Sequence, residues 1–339
     1  MQILKSLYNF ISSMKTGLVL LGLIGITSAI GSGIMPDHFF HTTPFQILLI
    51  LLFINMGFCT FKQLSRFLKS LRNHKLIERL WSRQFSLLIL HCGIVLILIG
   101  ATINAYQGQS TQVRIIEGET IKIADIISTK ESFALKVNKF NIEFYENGSP
   151  SQYYSDVSIL KAQDQVENHL ISVNHPLNYH GVKAYQHSYG YVINMENQDA
   201  ETTTAQIVSE GQVLSFKHTE RTVRIYKYIP NFDSRYGMNT KTIRPDNPKL
   251  VYSVYEHGHL LGIGAADFGE EVTIDENVGL TFKEVVPYTV LTIKFDPGLP
   301  WTATGGIMLM VGVCLVFYFA GSKKTNRTKI RDGGTANDA

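Results

Sequence analysis

Histidine and cysteine are the residues of this 339-residue chain with the most scope for chemistry, and one of each lies side by side in an apolar run. His91 and Cys92 fall between Phe85 and Ala105, a segment without Lys, Arg, Asp or Glu. At about 1.5 Å per residue, a helix places His91 about 9 Å from the start of this run. Ionisable side chains at membrane depth are costly, and they usually pair, carry protons or bind a ligand. His91 is therefore a candidate ligand, and a neutral imidazole hydrogen-bonded to another helix is an equal alternative.

Haem ligation by His91 would need help from outside the chain. A bis-histidine haem site requires histidines on facing helices, and the apolar runs hold only this one. Cys92 is expected to be a small apolar filler, and it stays a candidate only because His91 is its neighbour. His38 and His41, three residues apart between the first two apolar runs, could meet a ligand at the outer surface.

The other chemical motifs are weak. No metal spacing with a third ligand involves His175, His180, His187, His257 or His259, and His257-Gly258-His259 is read as a polar turn. Neither a Ser/His/Asp elbow nor a phosphate loop nor an HExxH sequence occurs. Cys59, Cys92 and Cys314 all lie in apolar runs, so the polar middle of the chain offers no disulfide, Cys-x-x-Cys pair or thiolate zinc site. A thiol–disulfide enzyme is thereby excluded.

Four apolar runs must position these residues, at 16–34, 44–61, 85–105 and 299–321. Each approaches the roughly 20 apolar residues that a helix needs to span a bilayer. The first run could instead be a cleaved signal peptide, because Ser28-Ala29 supplies small residues near its end. The spacing of Gly25, Ala29 and Gly33 favours a permanent helix with a small-residue packing face.

The basic residues indicate the orientation. All fourteen Lys and Arg residues outside the polar middle lie before the first run, between the second and third, or after the fourth. Because such charges are retained in the cytoplasm, both termini are expected inside. Residues 105–299 hold 17 basic and 24 acidic residues, so the polar middle is expected outside, and nucleic-acid binding is excluded.

Two further segments follow from this topology. Residues 62–84 alternate apolar and basic residues at helical spacing, which predicts either an amphipathic helix in the headgroup layer of the lipid bilayer or a solvated cytoplasmic loop. Residues 322–339 form a basic cytoplasmic tail. Residues 1–104 then form a membrane domain with three helices.

The segment 105–298 is predicted to be β-rich. Phe133 to Val137 and Phe140 to Phe144 alternate with polar residues, and Asn147-Gly148 is a hairpin turn signal. The predicted fold class is membrane α plus β. It has four transmembrane helices and a large extracytoplasmic β-rich domain, a sandwich or distorted barrel, inserted between helices 3 and 4.

Several stretches together resemble the ResB family, also called CcsB, of System II cytochrome c biogenesis. They are Met14 to Gly17 with Ser28 to Gly31, His91 to Gly100, Gly118-Glu119, Val173 to Leu177, Tyr185 to Gly190, and Leu291 to Pro300. The resemblance covers nearly the whole chain and its order of helices and domain.

The resemblance implies a bacterial inner-membrane subunit of a holocytochrome c synthase, with haem b as a transient substrate. ResB proteins work with a tryptophan-rich ResC or CcsA partner, apocytochrome c and reductants that keep its thiols reduced. The transmembrane histidine of the family maps by context onto His91, where it is expected to ligate haem iron opposite a histidine of the partner. With only Trp81 and Trp301, this chain lacks the tryptophan-rich segment itself.

Two other functions remain open at this point. One is a membrane-anchored scaffold without cofactor, in which His91 is merely packed. The other is a subunit of a haem or quinone oxidoreductase.

Overall fold

A computed structural model describes residues 2–34, 39, 42–71, 82–129, 133–162, 164–200 and 202–332. The chain divides into two compact units. The first comprises Met1–Gly108 and Asp296–Ala339, and the second comprises Gln109–Phe295. Each unit is described below by itself.

The first unit is helical. Its helices are α1 (Gln2–Ile11), α2 (Met14–Ile34), α3 (Thr43–Leu71), α4 (Arg83–Gln107) and α5 (Leu299–Asp332). Four of them are long and apolar enough to cross a membrane, over Met14–Ile34, Thr43–Ser70, Arg83–Gln107 and Leu299–Phe319. The four predicted apolar helices are thereby confirmed.

Two features of the helices differ from the sequence prediction. The short helix α1 precedes the first span and was not anticipated. Helix α3 continues ten residues beyond the expected end at Phe61, because Leu64, Phe67 and Leu68 prolong its apolar pattern among basic residues. Residues 62–71 are therefore helical, which agrees with one of the two alternatives for residues 62–84, and residues 72–81 lie outside the described part of the chain.

Glycines allow the helices to approach closely, but the glycines of the small-residue face predicted for α2 are not at such contacts. A Cβ built on Gly25 or Gly33 meets nothing within 4 Å, so the small-residue face predicted for α2 contacts nothing in the described chain. The close approaches of α2 are at other positions. A Cβ on Gly17 would lie 2.5 Å from Asn55 Oδ1 of α3.

The described residues of the second unit form fourteen strands in three antiparallel sheets. The strands are β1 (Gln109–Ile116), β2 (Thr120–Lys122), β3 (Ala134–Phe144), β4 (Pro150–Lys161), β5 (Asp164–Ser172), β6 (Leu177–Tyr179), β7 (Val182–Asp199), β8 (Thr202–Val208), β9 (Val213–Ser215), β10 (Arg221–Ile229), β11 (Lys249–Glu256), β12 (His259–Ala266), β13 (Glu271–Asp275) and β14 (Val278–Phe295). One sheet has the order β1-β14-β7-β6, with β13 beside β14 and β8 beside β7. The others run β12-β11-β10-β9 and β2-β3-β4-β5.

Two hydrophobic cores lie along the long paired strands β7 and β14. Leu135, Val157 and Ile293 belong to one core, and Ile225 and Phe282 to the other, all with 0% of their surface exposed. The unit is therefore two sandwich-like lobes that share one sheet. The single sandwich or barrel expected from the sequence was too simple, because strands of 18 residues are long enough to carry two cores in succession.

Local turn chemistry follows the sequence. Asn147-Gly148 lies in the β3–β4 hairpin as predicted, although five residues, 145–149, separate the strands. His180-Gly181 and His257-Gly258 form two-residue turns with positive φ at both positions, the backbone that matches strand twist. His257 is thus part of a turn.

Candidate functional site

Helix α4 carries the candidate haem ligand. The helix begins at an N-cap in which the Ser82 hydroxyl accepts a hydrogen bond from the backbone N–H of Phe85 at 3.3 Å. His91 lies just over two turns further on and is half-buried. Its Nδ1 atom is buried and has no hydrogen-bond partner among the described residues. The choice between a ligand and an imidazole hydrogen-bonded to another helix therefore stays a prediction.

The tight contact of α4 with α5 explains which face His91 occupies. A Cβ on Gly93 would lie 2.6 Å from the backbone nitrogen of Leu309, and one on Gly305 would lie 2.6 Å from the carbonyl oxygen of Gly93. The two backbones are thus in direct contact. Because successive residues turn by about 100°, His91 stands about 200° from Gly93, on the face of α4 turned away from this contact.

This placement suits one half of a ligand site. Histidines that bind metals almost always donate their second ring N–H to an acceptor, which fixes the ring. Nothing in the described chain performs that role for His91. Within the described residues, likewise, no group of three His, Cys, Asp or Glu side chains could hold a metal ion. The described residues therefore do not form a complete metal site around His91.

The other candidate residues are not brought to His91. Cys92 lines an apolar cavity of about 450 Å³ between α4 and α5, together with Phe85, Leu88 and Met308. His91 is not part of that lining. His38 and His41 lie outside the described residues, so their candidacy stays a prediction.

A buried polar cluster that the sequence reading missed joins α3 to the break between α1 and α2. Asn55 is 1% exposed, and its Nδ2 donates to the carbonyl oxygens of Ile11 and, at 3.1 Å, Ser13. The Cys59 thiol and the Lys62 ammonium group both reach Ser12, at 3.4 Å each. The asparagine thus satisfies backbone groups that the helix break leaves free. An amide inside an apolar run was the available signal, because an uncharged polar side chain that is buried also needs hydrogen-bond partners.

The motif residues of the second unit form a buried polar junction. The hydroxyl of Ser155 lies 2.9 Å from Gln186 Oε1 and 3.0 Å from Thr289 Oγ1, and the two hydroxyl-bearing residues have 0% exposure. These groups link β4, β7 and β14. Gln186 also donates to the carbonyl oxygen of Ser188 at 3.0 Å. The Tyr185 to Gly190 stretch therefore serves the architecture of the unit.

Asp199, at the end of β7, pairs with His218, a contact that the sequence did not predict. His218 Nδ1 lies 2.7 Å from one carboxylate oxygen, and the backbone N–H of Lys217 donates to the other at 2.9 Å. The hydrogen bond from Lys217, assisted by His218, lowers the pKa of Asp199. This pair fixes the turn before β10 and is not part of a wider reactive cluster.

The model of the ResB-like family matches residues 78–267, which is more than half of the chain. Among similar proteins is "Cytochrome c biogenesis protein CcsB" of Picosynechococcus sp., 25% identical over 92% of this chain and 79% of the relative. The protein of the same name from Nostoc sp. is 31% identical over 68% of this chain and 50% of the relative.

A eukaryotic relative shows the same pattern. "Cytochrome c biogenesis protein Ccs1" of Porphyra purpurea is 28% identical over 68% of this chain and 52% of the relative. The aligned part of the chain thus spans about half the length of the last two relatives.

Proposed function

The chain belongs to the ResB-like family, and on this premise we propose that it is a subunit of a System II cytochrome c synthase. In this role it helps to take haem across the membrane and presents it for covalent attachment to apocytochrome c. The resemblance drawn from the sequence is confirmed by the family match. The observation that carries the site is the buried, unpartnered Nδ1 of His91 in an apolar helix.

The proposed orientation places both termini in the cytoplasm and the β-rich unit outside, in a bacterial inner membrane. The distribution of basic residues supports it. Two exposed aromatic residues add support, because Tyr106 at the end of α4 and Trp301 at the start of α5 are 87% and 50% exposed. Aromatic rings of this kind collect at membrane–water interfaces. They support an interfacial position for these helix ends, and the basic residues alone assign that interface to the outer side.

In this orientation His91 lies in the inner half of α4. Its proposed role is to bind the iron of haem b entering from the cytoplasmic side. The opposing ligand would come from a tryptophan-rich partner of the ResC or CcsA type. Since the chain supplies one such histidine, it holds haem only as part of a complex.

The chemistry that follows needs positioning more than acid–base groups. A thioether forms when the S–H of a reduced cysteine adds across a haem vinyl bond, sulfur bonding one carbon and hydrogen the other. Both reactants come from other molecules, and reductants of the pathway keep the thiols free. Holding them in reacting geometry lowers the barrier without a nucleophile from this chain. The chain is therefore proposed to be a co-catalytic subunit.

The test is the haem content of the complex purified with its tryptophan-rich partner. His91→Ala is expected to lose most of the haem absorbance while the two proteins still co-purify. Cys314→Ala is the matched control, because this thiol is exposed on α5 and lies at no proposed site. Unchanged haem in His91→Ala would reject the ligand assignment and leave a scaffold. Haem retained by the chain without any partner would instead favour an oxidoreductase.

A further inference from the structure

A groove of about 430 Å³ crosses the second unit where its three sheets meet. One wall is the outer part of β3, where Phe140, Ile142 and Phe144 alternate onto one face. The floor is Tyr191 of β7 and Tyr228 of β10. We call this cleft the aromatic groove. No part of the haem site proposed above belongs to it.

The opposite wall contains proline. Pro245 and Pro248 line it from the segment 230–248, and Phe268 and Pro287 complete it. A surface of aromatic rings and prolines is unusual for a solvated β unit, because such residues offer stacking area and few groups that hold water.

Hydrogen bonds fix this wall in place. Asn231 is 8% exposed, and its Nδ2 donates to Thr242 Oγ1 at 2.7 Å and to Asp246 Oδ2 at 3.2 Å. A Cβ on Gly148 would lie 2.7 Å from Thr242, so the β3–β4 turn packs directly on the segment 230–248. The two walls are therefore tied together and the groove is preformed. A preformed site avoids the entropic cost of ordering on binding.

The rings of the floor pack against one another at steep angles. Tyr191 and Tyr228 have ring centroids 4.7 Å apart, and Phe268 follows 6.1 Å from Tyr228. Burial raises the pKa of Tyr228 to about 12 and that of Tyr191 further, so both hydroxyls stay protonated in the physiological range. Neither hydroxyl bonds another residue in the described part of the chain. Tyr191, which is partly exposed, can donate to a carbonyl oxygen of a ligand.

The charges at the rim are already engaged. Lys283 Nζ lies 2.8 Å from Glu196 Oε2, and Glu284 Oε1 accepts a hydrogen bond from Asn194 at 2.7 Å. Histidine, cysteine and methionine are absent from the described lining, so the groove lacks the nitrogen and sulfur ligands of haem iron. Its chemistry fits a chain recognised by shape, ring stacking and backbone carbonyls. Aromatic-lined grooves bind peptides in the extended polyproline conformation in this way.

We propose that the aromatic groove binds an extended segment of the apocytochrome chain that receives the haem. This inference rests on the proposed function, which supplies the substrate. A chain that must expose two thiols cannot be compact around them, and unfolded chains populate the extended polyproline conformation. Residues 105–299 hold seven more acidic than basic residues, a field that attracts a basic chain. The groove thereby holds the substrate chain while the haem is presented.

The test measures peptide binding to the full chain in complex with its partner. The probe is a fluorescent peptide of a c-type cytochrome that spans Cys-x-x-Cys-His and its basic flanks, with both cysteines replaced by serine to prevent covalent attachment. Loss of a stacking ring in Phe268→Ala is expected to weaken binding about tenfold, as for a central interface residue. Tyr191→Phe keeps the ring and removes one hydrogen bond, and is expected to cost about threefold to tenfold.

Leu261→Ala is the control, since this exposed side chain of β12 lies outside the groove. Equal peptide affinity in wild type, Phe268→Ala and Tyr191→Phe would overturn the proposal. The proposal would also be overturned if these variants weakened haem binding and left peptide binding unchanged. Haem content of the complex separates the two proposals. It should stay normal in the groove variants, and its loss from the wild-type complex would count against the proposed function itself.

Discussion

At the scale of single residues, buried polar side chains are the most informative about function and packing. His91 was found from the sequence because an ionisable group in an apolar run is costly and visible. Asn55 was missed, although at 1% exposure it is more deeply buried than His91 and bridges two helices. Its role depends on carbonyls from a helix break 42 or more residues away, and no local pattern reveals that distance. Residue type thus singled out His91, whose role as a ligand stays a prediction, and it did not reveal the structural bridge made by Asn55.

The Asp199 carboxylate leads to a prediction about pH. Its pKa is lowered in the folded chain, whereas an unfolded aspartate titrates near about 3.9. The carboxyl binds its proton more weakly in the folded chain than in the unfolded chain. Its contribution to stability is therefore complete above the unfolded pKa and is lost as the pH falls through the lower folded pKa. Asp199→Asn should therefore lower the unfolding temperature by a few degrees at pH 7, and the difference should shrink below about pH 4.

Circular dichroism of the full chain in detergent, followed during heating at pH values from neutral to acidic, measures this difference. Glu146→Gln, at the exposed tip of the β3–β4 turn, is the matched control and should unfold like wild type. A gap between wild type and Asp199→Asn that is the same at every pH would contradict the electrostatic origin.

At the scale of elements, a shift in the positions at which apolar residues alternate is more informative about strand structure than the alternation itself. The sequence shows two alternating runs, with Leu135 and Val137 in one and Phe140 and Ile142 in the other. The structure has one strand, β3, whose register shifts between Val137 and Lys139. The one-residue change of phase is the signature of a β-bulge, which adds a residue and keeps the apolar side chains on the core face. The bulge therefore joins the two alternating runs into a single strand.

The seam between α4 and α5 yields a prediction for a helix pair. A methyl group on Gly93 would stand 2.6 Å from Leu309 N and 2.7 Å from Gly305 O, so both backbones must separate. Gly93→Ala is expected to destabilise the full chain by about 1–3 kcal/mol, the usual cost of overpacking. Gly25→Ala supplies the control because nothing lies within 4 Å of its new methyl group. Thermal unfolding in detergent compares the stability of the two variants. Equal stability would mean that α4 and α5 are not in close contact in the native chain.

At the scale of the whole molecule, segregation of charge predicted the division into units but not their internal form. Fourteen basic residues and four acidic ones accompany the apolar helices, whereas residues 105–299 are net acidic. Composition therefore separated a membrane part from a polar part. The two lobes around β7 and β14 depend on pairings between residues as far apart as Asp199 and Val278, which composition does not encode. The aromatic groove, assembled from all three sheets, was equally out of reach.

The same segregation makes topology the decisive prediction for the whole chain. Basic residues of short loops stay in the cytoplasm, so Lys69 near the end of α3 should lie inside and Glu146 at the β3–β4 turn outside. Both side chains are exposed, which suits them to labelling. In a background with Cys59, Cys92 and Cys314 replaced by alanine, Glu146→Cys should react with an impermeant maleimide in intact spheroplasts. Lys69→Cys should react only after permeabilisation, and the cysteine-free parent should not react. The reverse pattern would place the β-rich unit in the cytoplasm, where it could not meet an exported apocytochrome.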